Sequence, residues 1–364
     1  MAIIHIKTFF TYFPYAVLAL TLVTFVWRAR MSWWARLAWT LWLFACCSKF
    51  YCFARWGGHV YEPVLPVWVM WTWNWAYSGA IIFALLALLT VWWRSRVRVW
   101  ALPVVAWAVS AVGLWNGVRP PSVHEMELAY SGLPAELDGY RIVQLSDLHA
   151  SSSLRRWRTQ AVVDLVNGLD ADLICLTGDY ADGRADLIGP CLEPIRDLRA
   201  RDGVWAVTGN HEFYCNRRDW TPLYEAWGIR FLANACAFPR PSLALGGVND
   251  AQVPAGEPYP NVARAFAAAT NGEFRVLLQH RPTQAHANIE GHGVRLQLSG
   301  HTHGGIMPIL SELVRQHNGG YVRGLYEFPH GRLYVSSGAG QWAGFPMRFF
   351  NDAEITLLTL RRRK

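Results

Sequence analysis

Hydrophobic residues follow two different patterns along the chain, and the change falls near residue 118. Before it lie four long apolar stretches, near residues 8–27, 33–53, 74–93 and 99–116. Each approaches the roughly 20 residues that a helix needs to cross a bilayer, and none contains an acidic residue. The pattern predicts an all-α transmembrane domain of four helices over residues 1–118. A buried bundle of hydrophobic helices is the alternative.

After residue 118, short apolar runs alternate with segments that have helical spacing. Helical spacing covers residues 157–169 and 186–201, and TPLYEAWG (221–228) predicts a shorter helix. The alternation indicates a layered α/β fold, and the closely spaced later runs predict a second sheet packed on the first. The runs that predict strands are VHEMELAY, RIVQL, ADLICL, GVWAV, RFLAN, LALGGVN, FRVLLQH, VRLQLSGH, RLYVSSGAG and EITLLTL.

Charge and tryptophan content separate the same two parts. Residues 1–118 hold nine of the 34 lysines and arginines but one of the 26 acidic residues, so the remainder is neutral and the net charge of +8 belongs to the first part. A neutral second part argues against a nucleic-acid-binding face. Fifteen of the 20 tryptophans also lie in residues 1–118, as in the aromatic belts of membrane proteins. We therefore expect a lipid bilayer as a partner and no nucleic acid.

Arginine placement predicts the orientation in the membrane. Arginine triplets lie in or beside the loops after the first and third stretches, Arg28/Arg30/Arg36 and Arg94/Arg96/Arg98. Positive loops stay in the cytoplasm, so four spans place both termini outside. We expect a multi-pass protein of the cell (inner) membrane whose second part faces the periplasm or cell exterior. The spans lack the polar groups of transport paths, which favours an anchor or lipid-access module over a transporter.

Five polar clusters follow apolar runs in the second part. They are SDLH (146–149), TGD (177–179), TGNHE (208–212), LLQH (277–280) and LSGHTHGG (298–305). His301 and His303 are two residues apart, so on an extended backbone they point to the same side. The glycines beside them let the backbone approach a ligand closely. Ligand sites of α/β sheets lie beyond the carboxyl ends of the strands, so we expect the clusters to meet.

The clusters offer seven nitrogen and oxygen ligands, more than one metal ion needs. Imidazole and carboxylate without thiolate favour Mn, Fe or Zn over Mg alone, and we favour Mn. Two ions about 3.5–4 Å apart, sharing one carboxylate, would clamp a phosphoryl group during its transfer. The candidate ligands are Asp147, His149, Asp179, Asn210, His280, His301 and His303.

The motifs DLH, GD, GNHE, the isolated His280 and GHTH resemble the five signature blocks of calcineurin-like metallophosphoesterases. LSGHTHGG and LYVSSGAGQWAGFPMRF are similar to segments of a bacterial membrane-associated branch, which includes proteins similar to UDP-diacylglucosamine hydrolases. The resemblance covers residues 140–364 and implies a two-sheet sandwich flanked by helices, which we place over residues 119–364.

The resemblance also implies roles for individual residues. Water shared by two ions would attack phosphorus in line. His211 would stabilise the phosphoryl charge or protonate the leaving oxygen, and Glu212 would orient the turn. Asp179 would bridge the ions, with Asp147, His149 and His303 on one ion and Asn210, His280 and His301 on the other.

Substrate specificity is open. Arg155, Arg156 and Arg158 could receive a second phosphate or a lipid head group, or they could form a solvated helix start. We expect a membrane-anchored phosphoesterase acting on a phosphomonoester or phosphodiester, with lipid-linked esters among the candidates. The alternatives are a phosphoprotein phosphatase and a non-catalytic metal-binding membrane sensor or scaffold.

The seven cysteines have no spacing typical of a metal site or a disulfide framework. Packed or free thiols are the simpler interpretation, and a bridge between Cys215 and Cys236 is the alternative if the domain is exported. Neither the oligomeric state nor the native substrate follows from the sequence.

Overall fold

The computed structural model describes residues 2–58, 63–92, 96–215, 217–270, 272–305, 308–342 and 347–363. The chain forms two compact units. One comprises Met1–Gly117 with Trp342–Met347, and the other comprises Val118–Gln341 with Arg348–Lys364.

The first unit is helical throughout its described elements. By length and composition, Val67–Leu89 and Trp100–Val118 can each cross a membrane, and the bent helix pair Trp33–Cys47 and Lys49–Gly57 would make a third span if it counts as one. Among the described side chains, the first predicted stretch gives only the shorter apolar helix Tyr12–Val26. The elements are α1 (Ala2–Thr21), a π-helical turn (Leu22–Val26), α2 (Trp33–Cys47), α3 (Lys49–Gly57), α4 (Val67–Leu89) and α5 (Arg96–Val118).

The second predicted stretch bends by 54° between α2 and α3. The Ser48 hydroxyl donates to the Phe44 carbonyl at 2.7 Å, a bond that competes with the helix ladder. The next residue, Lys49, is fully buried, with its ammonium 4.9 Å from the Phe50 ring centroid and 5.1 Å from that of Tyr77. Cation–π contacts offset part of the cost of burying this charge.

The second unit contains two six-stranded mixed sheets, so the prediction of two sheets with helices is confirmed. The strands are β1 (Ser122–Tyr130), β2 (Arg141–Leu145), β3 (Leu173–Leu176), β4 (Val204–Ala206), β5 (Arg230–Phe231), β6 (Ala235–Arg240), β7 (Leu243–Gly247), β8 (Phe274–Leu278), β9 (Leu296–Ser299), β10 (Gly324–Glu327), β11 (Arg332–Val335) and β12 (Glu354–Arg362). The strand order is β1-β12-β2-β3-β4-β5 in the first sheet and β10-β11-β9-β8-β7-β6 in the second.

The last strand departs from the expected order. Although β12 comes at the end of the run of late strands, it lies in the first sheet, parallel to β1 and antiparallel to β2. Its buried residues Ile355–Leu360 face both layers of the core. Sequence spacing did not reveal this return because strands buried on both faces have no alternation to assign them to one sheet.

Helices cover the outer faces of the sheets. The predicted helix over 186–201 instead ends at Leu192 and continues as a 3₁₀ segment, Glu193–Asp197, where Pro194 cannot supply a helical N–H. The α-helices are α6 (Arg156–Asn167), α7 (Ala185–Leu192), α8 (Asn210–Tyr214), α9 (Arg217–Ala226), α10 (Val262–Ala265), α11 (Ala285–His292) and α12 (Pro308–His317).

The core has layers on each side of the first sheet. Neighbouring residues of β2 point to opposite faces. Ile142 packs with Leu245 and Val276 of the second sheet, whereas Val143 packs with Val162 of α6. These apolar layers hold the strands so that their polar ends are presented together.

All seven cysteines are thiols that form no disulfide. Cys215 is buried, and its sulfur accepts the Gly183 N–H at 3.3 Å. Cys236 lies on β6 and is half-buried. The structure thus has two separate thiols at Cys215 and Cys236.

Candidate metal centre

The seven candidate ligands all follow strands whose carboxyl ends lie side by side. Strands β2, β3 and β4 are parallel neighbours in one sheet, and β8 and β9 are parallel neighbours in the other. Five of the seven ligands are buried and the two from the last cluster are half-buried. Strand β2 leads to Asp147 and His149, β3 to Asp179, β4 to Asn210, β8 to His280, and β9 to His301 and His303.

Asp147, His149 and His303 form one potential metal-binding group. Each offers one ligand atom, and these atoms lie within 4.8 Å of one another. Nε2 of His149 is 3.0 Å from Nε2 of His303, and the latter atom is 3.6 Å from Oδ1 of Asp147. Nitrogen atoms aimed at one another at this separation are suited to a shared cation.

Asp179, His280 and His301 form a second group within the same limit of 4.8 Å. Nε2 of His280 is 3.2 Å from Oδ2 of Asp179 and 3.2 Å from Nδ1 of His301. Oδ2 of Asp179 is also 3.9 Å from Nε2 of His149, in the first group. One carboxylate therefore faces both groups.

Asn210 enters the site next to Asp179. The backbone N–H of the following residue, His211, donates to Oδ1 of Asp179 at 2.8 Å. On the other side of Asn210, a Cβ at Gly209 would lie 2.2 Å from the same oxygen. A glycine is therefore required before Asn210, and Gly300 has a similar role because its Cβ would lie 2.2 Å from Oδ2 of Asp147.

The backbone is strained where the ligands are presented. The left-handed region is costly for residues other than glycine, at about 1–3 kcal/mol each, and such strain concentrates at functional sites. Main-chain bonds between the ligand loops hold this conformation, such as Asp147 N–H to Gly178 O at 2.9 Å. Five of the eight non-glycine residues with positive φ in the described chain are candidate ligands: Asp147 (52°), His149 (45°), Asp179 (57°), His301 (71°) and His303 (47°).

The histidines have the electrostatics of metal ligands. Burial, followed by nearby cationic groups, holds the pKa of His301 and His303 well below the usual range, so both rings are neutral, as metal ligation requires. For His280, burial opposes protonation, but Asp179 raises its pKa to about 10. Nε2 of this ring faces Oδ2 of Asp179 at 3.2 Å, where a cation could replace a proton. The donors fit a pair of divalent ions.

Asp182 is a site residue that the sequence analysis missed. Its Oδ1 atom accepts a hydrogen bond from Nδ1 of His149 at 2.8 Å and lies 2.7 Å from Nδ1 of His211. Burial opposes its charge, yet the two histidines hold its pKa well below the ordinary value. The available signal was a second Asp three residues after Asp179, but the pairing of this loop with the segment after His149 is a tertiary feature.

His211 and Glu212 differ in position and in role. His211 is buried, and it also groups with His149 and Asp179 within 4.8 Å. Its Nδ1 faces Oδ1 of Asp182, and Nε2 is the other ring nitrogen. Glu212 accepts backbone N–H groups from Gly209, Asp179 and Tyr180 at 2.6, 2.9 and 2.9 Å, so it orients the turn as expected.

The three arginines after the first cluster do not form a common phosphate site. Arg158 is buried, and its guanidinium donates to the carbonyls of Val118, Arg119 and Ala339. This corrects its proposed role in substrate binding, because those bonds occupy the group. Arg156 pairs with Glu193, and Arg155 is exposed at the start of α6.

Two other arginines, Arg281 and Arg348, contact the candidate ligands. Nη2 of Arg281 donates to Oδ1 of Asn210 at 3.1 Å. Nη2 of Arg348 lies 3.3 Å from Nδ1 of His303 and donates to main-chain carbonyls, including Ser337 O at 2.9 Å. Neither was predicted: Arg281 directly follows the LLQH motif, and Arg348 lies beyond the last motif, in the segment LYVSSGAGQWAGFPMRF.

Comparison with known proteins agrees with this geometry. Residues 140–305 match the family of calcineurin-like phosphoesterases. A transmembrane protein with metallophosphoesterase domain from Danio rerio is 33% identical over 275 residues, covering 72% of this chain and 62% of that protein.

Two bacterial relatives, each described as an uncharacterised metallophosphoesterase, are also similar. The relative from Helicobacter pylori is 31% identical over 255 residues, covering 68% of this chain and 66% of the relative. The relative from Bacillus subtilis is 28% identical over 276 residues, covering 71% and 93% respectively. The chain spans less than two thirds of the length of the Danio rerio relative described above.

Proposed function

Because the chain carries a calcineurin-like metallophosphoesterase domain, we propose that it is a membrane-anchored phosphoesterase that uses two divalent metal ions. The observation that carries the proposal is the position of Asp179. Its Oδ2 atom lies 3.2 Å from Nε2 of His280 and 3.9 Å from Nε2 of His149. A single carboxylate between two histidine-containing groups is the arrangement that a two-ion centre requires.

The two groups would divide the ions between them. Asp147, His149 and His303 would hold the first, Asn210, His280 and His301 the second, and Asp179 would contact both. When bound, such ions lower the pKa of water toward neutrality and stabilise the attacking and leaving oxygens of an in-line displacement. Mn is favoured, with Fe or Zn as alternatives, because the donors are imidazole, carboxylate and amide groups without thiolate.

His211 and Asp182 would handle the leaving-group proton. Asp182 is charged and its Oδ1 lies 2.7 Å from Nδ1 of His211, which favours a proton on that nitrogen and a protonated ring. His211 can then donate the proton on Nε2 to the leaving oxygen. The same carboxylate accepts from Nδ1 of His149 at 2.8 Å, so Nε2 of that ring is left with its lone pair for a metal.

The substrate we propose is a phosphomonoester or phosphodiester of a lipid-linked molecule. The apolar helices of the first unit and the Danio rerio relative, named as a transmembrane protein, support membrane attachment. An enzyme fixed to a bilayer meets lipid head groups at high local concentration. The neutral net charge of the second part argues against a nucleic-acid substrate.

For the topology we propose four crossings, with the second unit outside the cytoplasm. The continuous helical segment Ala2–Val26 would be the first crossing, the bent pair α2–α3 the second, and α4 and α5 the remaining two. A reporter fused after Lys364 should be active only in the periplasm. A fusion active only in the cytoplasm would overturn the orientation and point to an odd number of spans, which would make nucleotide-linked lipids the better substrate candidates.

Hydrolysis of generic aryl esters tests the activity. The full-length protein, purified in detergent and supplied with Mn²⁺, should release nitrophenol from bis(p-nitrophenyl) phosphate or p-nitrophenyl phosphate, and Asp179→Asn should abolish release. Metal binding without turnover of either ester would favour a sensor or scaffold. Turnover of a phosphopeptide but of neither aryl ester would favour a protein phosphatase. A subsequent screen of lipid extracts would then identify the head group.

A further inference from the structure

A charged pair lies beside the Asn210 end of the metal centre. Nε of Arg281 donates to Oδ2 of Asp250 at 2.7 Å, and Nη2 of Arg281 donates to Oδ1 of Asn210 at 3.1 Å. One edge of the guanidinium is therefore held by a carboxylate and by a candidate metal ligand. The proposed two-ion mechanism gives this arginine no role.

Asp250 is built into the fold as an anchor for Arg281. Its side chain is fully buried, whereas that of Arg281 is 22% exposed. Oδ1 of Asp250 accepts the backbone N–H of Gln252 at 2.8 Å, and its own N–H donates to the Thr208 hydroxyl at 3.2 Å. The carboxylate therefore cannot follow the guanidinium outward, and it fixes the plane in which Arg281 presents its donors.

The backbone around Arg281 is restricted as well. Pro282 follows it, and a residue before proline is confined to extended conformations, as the φ of −89° and ψ of 133° at Arg281 show. His280 precedes it, and Nδ1 of that ring is bonded to the Thr177 carbonyl at 2.7 Å. The arginine thus follows directly from a ligand whose own position is fixed.

The expected charge at the Asn210 end of the metal centre is positive and favours binding of an anion. The proposed ligands of the second ion include a neutral amide, two imidazoles and the shared carboxylate of Asp179, so a divalent ion there would keep excess positive charge. The guanidinium of Arg281, which is hydrogen-bonded to Asn210, would add to this positive charge. Asp250 neutralises the charge of Arg281 but not the charge of the ion. A phosphoryl group brings negative oxygens to this place, and the planar fork of arginine suits such oxygens.

We propose that Arg281 binds a non-bridging oxygen of the phosphoryl group at the Asn210 end of the centre, and that Asp250 positions it. This inference rests on the proposed phosphoesterase function. In this arrangement Arg281 touches substrate, whereas Asp250 acts through Arg281. The alternative is that Arg281 only orients Asn210 as a metal ligand, in which case its loss would lower metal occupancy and leave phosphate affinity at the remaining centre unchanged.

The test uses inorganic phosphate as the probe, on full-length protein loaded with Mn²⁺. Its binding is measured by titration calorimetry and as competitive inhibition of aryl ester hydrolysis, with metal content determined on the same samples. Arg281→Gln is combined with Asp250→Asn so that no buried carboxylate loses its cation. Loss of a charge-assisted hydrogen bond should weaken phosphate binding about 10- to 150-fold and raise KM more than it lowers kcat, with two ions retained.

Two further variants complete the design. Arg281→Lys keeps a cation beside Asp250 but not the planar fork, so its phosphate affinity should fall between the wild type and the double variant. Arg196→Gln is the control, because this exposed arginine pairs with Glu193 and Asp197 and should bind phosphate like the wild type.

Phosphate affinity within twofold of wild type in the double variant, with both ions present, would overturn the role of Arg281. Loss of one ion with unchanged phosphate affinity would overturn it in favour of orienting Asn210. If the wild type hydrolyses aryl esters while the variants keep their phosphate affinity, only this inference fails. If the metal-loaded wild type neither binds phosphate nor hydrolyses an ester, the proposed function fails and the inference fails with it.

Discussion

Replacing Asp182 by Asn should separate chemistry from metal binding in this centre. Oδ1 of Asp182 lies 2.8 Å from Nδ1 of His149 and 2.7 Å from Nδ1 of His211. An amide oxygen can still accept from one ring, but it carries no charge to support a protonated His211. A hydrogen bond to a charged group is worth about 1.5–3 kcal/mol, and each 1.4 kcal/mol is about tenfold. We therefore expect kcat/KM to fall about 10- to 150-fold.

The assay is aryl ester hydrolysis across an Mn²⁺ titration, so that a loss of metal affinity can be distinguished from a loss of turnover. Outer partners of metal ligands typically change affinity or activity by about 10- to 100-fold, and some weakening at the His149 position is expected. The deficit in kcat should persist at saturating metal. Asp186→Asn is the matched control, because Asp186 is exposed and pairs with Arg184. Activity of Asp182→Asn within twofold of that control would refute the role assigned to Asp182.

Three further predictions concern individual candidate ligands and His211, the proposed proton donor. His211→Ala should keep both ions but turn over about 10²–10⁴-fold more slowly, and near wild-type kcat would remove His211 from the mechanism. Asp179→Ala should lose both ions together, seen by elemental analysis, whereas His149→Ala should affect mainly one. Because Asp179 raises the pKa of His280 to about 10 despite burial, metal binding should release a proton and tighten as pH rises toward 10. Equal calorimetric heats in buffers of different ionisation enthalpy would contradict this.

The candidate site could be predicted because its ligands are concentrated in short motifs. Asp147 and His149 follow β2 within four residues, and His301 and His303 follow β9 in the same way. The topology of parallel strands brings such ends to one edge whatever the details of the loops. Convergence of all five clusters at one place is therefore a consequence of strand order and direction.

Asp182, Arg281 and the environment of Arg158 could not be predicted in the same way. Asp182 acts through a loop-to-loop pairing, and Arg281 through the carboxylate of Asp250, 31 residues earlier in the chain. Arg158 resembled a phosphate ligand because it was one of three clustered arginines, but its helix turns it inward onto carbonyls. The phase of a helix and the pairing of two loops determine where these side chains lie. Neither of these features can be read from a local sequence motif.

The membrane unit shows the limit of apolar length as a signal. The stretch near 74–93 predicted a span, but α4 begins at Val67, because the preceding residues, which include Trp68, Trp71 and Trp73, are helical as well. The stretch over 33–53 is mostly apolar, yet a single serine hydroxyl accompanies a bend of 54°. Hydropathy records composition along the chain and does not report where the helix ladder is interrupted.

Metal stoichiometry coupled to activity tests the two-ion centre. Metal-free full-length protein is titrated with Mn²⁺ while bound metal and aryl ester hydrolysis are followed together. The geometry of the two groups around Asp179 predicts that binding saturates at two ions per chain and that activity reaches its maximum only with the second. Saturation at one ion with full activity, or activity with no bound metal, would contradict the two-ion centre.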